Sequence, residues 1–163
     1  MSAITAKTLL KTMLNSQVTD PYPGARSGNQ FFDEDDGINL QRANTFPKGY
    51  IFFDRELAPT SKERFSRKGW ELKHARFIIH YFVKDKISYT VSGTKYQDAS
   101  YANYMAESIK ESLEDNVSLG SGYYIEDIQE DIEAARQLTN NNAPFVLFEV
   151  RIPVIIKWSR QYG

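Results

Sequence analysis

Two histidines, one acidic run and one basic segment are the groups in this 163-residue sequence whose types could do chemistry. His74 and His80 are its only histidines. They fall in a stretch that reads as a strand, where residues six apart share a face but stand roughly 20 Å from each other. Bonds from imidazole to a metal are about 2 Å long, so the pair cannot share an ion, and His80 reads as a residue of the strand face. The run Asp33-Glu34-Asp35-Asp36-Gly37 suggests a calcium loop. With Gly37 at the sixth loop position the first ligand falls on Phe32, and the pattern fails. Asp33, Asp35 and Asp36 then support nothing stronger than loose cation binding, the basis for a metal-dependent hydrolase reading.

Other motifs fail on spacing. Gly93-Thr94-Lys95 does not place glycine and lysine together as a phosphate loop needs. Gly120-Ser121-Gly122 matches neither a dinucleotide fingerprint nor a nucleophile elbow and reads as a turn. Asp127 and Asp131 would share one face of a helix, but no base or metal partner accompanies them. No catalytic residue, metal site or cofactor site is therefore expected, and the chain reads as non-enzymatic. The segment from Lys62 to Trp70 sets cations beside aromatics, a sound platform for single-stranded nucleic acid. Lys62, Arg64, Arg67, Lys68 and Trp70 are its candidate contacts, and segment 62–76 carries an alternative reading as a nucleic-acid-binding accessory protein.

Composition bounds the rest. Hydrophobic content of 41% and charged content of 25% are ordinary for a folded domain, and the length suits a single domain spanning 1–163. A net charge of −1 excludes a generally basic protein. The lack of cysteine excludes disulfides, thiolate zinc sites and cysteine nucleophiles. No apolar run reaches membrane-spanning length and the N-terminus lacks a signal-peptide core, so a soluble, unsecreted chain is expected. Charge is nonetheless segregated: nine acids face one base between Glu107 and Glu133, and seven bases face three acids between Arg55 and Arg76.

Periodicity predicts a short amphipathic helix from Ala3 to Leu14, capped by Ser2 or Thr5. A long loop over 16–48 follows, rich in Pro and Gly and suited to an interaction arm. Tyr50–Phe53 reads as a strand, Trp70–Lys84 as a long central strand with two apolar faces, and Lys86–Val91 as a short strand ended by Ser92-Gly93-Thr94. Tyr101, Met105, Ile109 and Leu113 define an amphipathic helix over 100–115, capped by Asp98 or Ser100. Segment 123–138 fits a helix on Ile125, Ile128, Ile132 and Ala135, or one arm of a hairpin; the helix is preferred.

The stretch Phe145–Trp158 is the longest extended signal. Val146, Phe148, Val150, Ile152, Val154, Ile156 and Trp158 form one apolar row, while the other row has Glu149 and Arg151 at its polar centre. Pro153 has no N–H, which implies an edge strand, a bulge or two strands with a kink. The predicted fold class is α+β, a single domain with a mostly antiparallel sheet, a long C-terminal strand, an N-terminal helix and one or two central helices.

This layout of short helix, long loop, strand, long strand, amphipathic helix and final strand resembles the tail-terminator and neck-protein families of tailed viruses. The resemblance is one of architecture and transfers no functional residue. It implies a structural virion subunit that closes into a homo-oligomeric ring, commonly hexameric, capping the tail tube and joining it to the head connector after assembly in the host cytoplasm. Its partners would be itself, the tail-tube protein and the neck proteins, with nucleic acid only passing through the ring. A head-to-tail ring needs two complementary patches. Arg64, Arg67 and Lys68 against Glu126, Asp127, Glu130 and Asp131 are the candidates, with Glu149 and Arg151 beside them.

Overall fold

The computed structural model describes residues 2–19, 32–34, 46–57, 70–129, 135–138 and 145–161. The protein is α+β: two helices cover one face of a mostly antiparallel sheet, and the C-terminal strand is its longest together with one partner. Helix α1 spans Ala3–Gln17, with Ser2 as its cap; the Ser2 hydroxyl accepts the Thr5 N–H at 3.2 Å. Ala6, Leu10, Met13 and Leu14 form its buried stripe. Helix α2, Ala99–Asp115, buries Tyr101, Ala102, Met105, Ala106, Ile109 and Leu113, the four-residue recurrence that the sequence displays. Asp98 holds its N-cap position without a side-chain cap bond; its Oδ1 instead accepts the Lys86 N–H at 3.3 Å. Ser100 turns back to bond both backbone groups of Gln97.

The sheet contains β1 (Phe32–Glu34), β2 (Lys48–Leu57), β3 (Trp70–Lys84), β6 (Ser118–Gly120), β7 (Tyr123–Ile128), β8 (Arg136–Leu138) and β9 (Leu147–Gln161). Its order is β1-β2-β3-β9-β7-β6, with β8 also paired to β9 and β1 parallel to β2. A separate hairpin joins β4 (Ser88–Val91) to β5 (Thr94–Gln97). Ser92 and Gly93 both take positive φ, 49° and 82°, the geometry that two-residue hairpin turns require. The segment expected to end a strand therefore folds it back. Tyr89 and Tyr96 of this hairpin pack on Tyr101 and Tyr104 of α2 at centroid distances of 4.5 to 5.5 Å.

Three expectations are corrected. Segment 123–138 is not a helix among its described residues but the strands β7 and β8. A bulge between Ile125 and Asp127 shifts the next inward residue to Ile128, and the resulting spacing of three imitates a helical period. Phe32–Glu34, inside the expected loop, pairs with β2 instead, and α1 runs on through Ser16 and Gln17. The rest of that loop, the acids Asp35 and Asp36, and residues 58–69 lie outside the described residues.

The third correction concerns β9, which is neither an edge strand, nor bulged, nor broken. It pairs with β3 in one continuous register from Trp70↔Gln161 to Lys84↔Leu147, and its other side meets β7 and β8. Pro153 fits because the N and O of one residue in an antiparallel strand point to the same side. Its carbonyl accepts the Gln129 N–H at 3.0 Å, so its nitrogen faces the same side, away from β3, and costs the β3 ladder nothing.

The alternation foreseen for β9 holds: Val150, Ile152, Val154, Ile156 and Trp158 are buried with Phe77, Ile79, Tyr81 and Val83 beneath the helices. At the sheet margin, Gly49 gives Phe32 its seat, because a Cβ there would collide with the Phe32 ring. Asn15 then holds Phe32 from α1, accepting its N–H at 2.7 Å and donating to its carbonyl at 3.0 Å. Gly49→Ala is expected to push Phe32 out of a fully buried position and cost about 1–3 kcal/mol through overpacking. Urea unfolding would measure it, and an unchanged midpoint would contradict the role given to Gly49.

Candidate interaction face

The face of the sheet turned away from the helices is the candidate site. Even-numbered β3 residues and odd-numbered β9 residues lie there, because directly paired residues share a face. One end is apolar: Phe46, Tyr50, Phe82, Phe145 and Leu147 form a second small core, with Phe52 and Leu138 packed on it. Burial and the nearby Asp33 charge push the Tyr50 hydroxyl above its ordinary pKa. Asp33 itself faces Lys48 Nζ at 3.3 Å, an ion pair where a metal ligand had been considered.

Beside this patch lies a charged cluster centred on Glu149, which is 6% exposed. Its Oε1 accepts from Arg151 Nε at 2.5 Å and Arg136 Nη2 at 3.2 Å, and stands 3.7 Å from His80 Nδ1. The last distance is too long for a hydrogen bond, and among the described residues that buried Nδ1 meets no acceptor. The His80 ring sits by Phe52 at 4.4 Å and stacks with Phe82 at 6.1 Å. Burial alone would raise the Glu149 carboxyl, but His80 and Arg151 outweigh it and lower its pKa to about 2.

Further along the face, Arg76 bridges Asp54 at 2.6 Å and the Gln129 side chain at 2.7 Å. Asp54 reaches it because a register shift between Phe53 and Arg55 makes Asp54 the extra residue of a bulge. Lys157 pairs with Glu126 at 2.5 Å.

The fold thus joins Glu149 and Arg151 and commits Glu126 to an internal pair, while Asp127 is exposed on β7 opposite Ile155. Lys62, Arg64, Arg67, Lys68, Glu130 and Asp131 lie outside the described residues, and of Trp70 only the strand backbone is described. His74 and His80 do share the face, spaced along β3 as expected. Among the described residues no three His, Asp or Glu side chains gather as metal ligands, and no helix is long and apolar enough to cross a membrane. Sequence reasoning missed Arg136, because it lies in the segment read as a helix. The alternation of β9 already placed Glu149 and Arg151 side by side.

Glu149 stays charged down to about pH 2 in the folded protein, against 4.5 for an ordinary glutamate. Its contribution is complete above the higher value and disappears as pH falls towards the lower one. Glu149→Gln is expected to lower stability at neutral pH by about 1–3 kcal/mol, the scale of hydrogen bonds to charged groups. The loss should shrink as pH falls through that window. Denaturant unfolding at stepped pH would measure both, and parallel curves for the two proteins would remove Glu149 as the titrating group.

No protein-family model matches the chain, and no curated protein matches it either.

Proposed function

We propose that the chain is a non-enzymatic structural subunit of a virus neck or tail, similar to a tail terminator, which closes into a ring at the head-proximal end of the tail tube. The observation that carries this reading is the β3–β9 ribbon. Its ladder extends to Trp70↔Gln161, whereas the flanking pairings stop at Leu57↔His74 and Tyr123↔Trp158. Residues 70–73 and 159–161 therefore continue as a two-stranded arm past the last residues with which β2 and β7 pair. An arm of this kind offers backbone groups to a neighbouring subunit. The sheet face turned away from the helices supplies a second, different surface, and a head-to-tail ring needs two such surfaces. The α+β layout, with one helix at the N-terminus and one before the final strands, supports the same reading.

Light scattering across a wide concentration range, with negative-stain images, should find a closed ring several times the monomer mass. Leu72→Glu, on the arm opposite Ser159, should leave a folded monomer that no longer closes. A monomer of the unaltered protein at every concentration would count against the ring, and a ring of unchanged mass in the variant would remove the arm from its interface.

A further inference from the structure

We propose that Arg136 and Arg151 form a binding site for a phosphate group on the face of the sheet turned away from the helices. Both guanidiniums hold the same Glu149 oxygen, so their bonded nitrogens lie within about 6 Å of each other. Each side chain is 47% exposed, while the carboxylate between them is buried. One negative charge thus faces two fixed positive charges, and the neighbouring His80 can only add to the surplus.

Among the described residues the other acids of the face are distant or engaged. Asp127 lies opposite Ile155, four residues along β9 from Arg151 and so roughly 13 Å away. Asp33 is paired with Lys48. Arg151 uses Nε in its internal bond and Arg136 uses Nη2. Among the described residues their other N–H groups meet no acceptor.

Glu149 therefore works as an internal anchor that fixes two forks while leaving their outer donors exposed. Such pre-ordering reduces the entropy lost when a ligand binds. A carboxylate offers only two oxygens, in one plane, and a single negative charge. A phosphate carries oxygens out of a single plane and can take an N–H from each. The chemistry is shared by free phosphate and by the backbone of a nucleic acid. It does not depend on the ring.

The test uses the full chain with three probes: inorganic phosphate by calorimetry, a short labelled oligonucleotide by anisotropy, and polyglutamate as the carboxylate control. At low salt the phosphate or the oligonucleotide should bind in preference to polyglutamate. If both do, the site reads a backbone phosphate; if only inorganic phosphate does, it serves a free ion, and either result supports the site. Arg136→Ala and Arg151→Ala should each weaken binding about tenfold, and for the oligonucleotide each should reduce the salt slope by about one. Arg136→Lys should restore the slope without restoring the affinity. Unfolding curves establish that each variant is folded. Binding unchanged in folded Arg136→Ala, preference for polyglutamate, or no binding of either phosphate probe at low salt would each overturn the proposal.

Discussion

The ladder between β3 and β9 is the constraint on which the rest of this structure depends. Its register is unbroken across fifteen residues of each strand, so alternation is never reset and each strand keeps one set of side chains on each face. A slip of one residue would exchange the buried row for the charged one. The helices can dock only where Phe77, Ile79, Tyr81, Val150, Ile152 and Val154 lie together, and the charged groups are left on the other side. Bulges do occur, but in the flanking strands β2 and β7, where they redirect Asp54 and Ile128 without disturbing the central pair.

Side-chain bonds complete what the ladder begins. Helix α1 is tied at both ends: the Ser2 N–H donates to the Tyr123 hydroxyl at 2.7 Å, and Asn15 bonds both backbone groups of Phe32. Tyr123 in turn packs on Trp158 at the end of β9, with centroids 5.4 Å apart. The β4–β5 hairpin has no strand partner in the main sheet and is held through its tyrosines. Burial, followed by the neighbouring tyrosine hydroxyls, pushes Tyr89 above its ordinary pKa, consistent with a ring that serves packing.

On the opposite face a charged cluster lies beside the second small core. Burying Glu149 in a sheet would be costly without compensation, and the cost is offset because two guanidiniums converge on its oxygen. Both arginine side chains stay nearly half exposed, so the cluster is at once an internal tie and an exposed positive feature. The phosphate proposal uses the cluster, whereas the ring proposal uses the arm together with the face on which that cluster lies.

Alternation along 145–158 and four-residue recurrence along 100–115 were enough to define the longest strand, the principal helix and the α+β class, because burial on one face imposes a period directly on the residue order. The same alternation placed Glu149 beside Arg151. The helix read over 123–138 failed because one extra residue in a bulge converts a strand period into a helical one, and with that segment went Arg136. Local sequence also could not tell that Pro153 lies inside the sheet: whether a missing N–H matters depends on which neighbour it faces, and this one faces away from β3. The convergence of Arg136, Arg151 and His80 on one carboxylate was decided by tertiary structure, since it joins residues from three strands whose pairing is a long-range property of the fold.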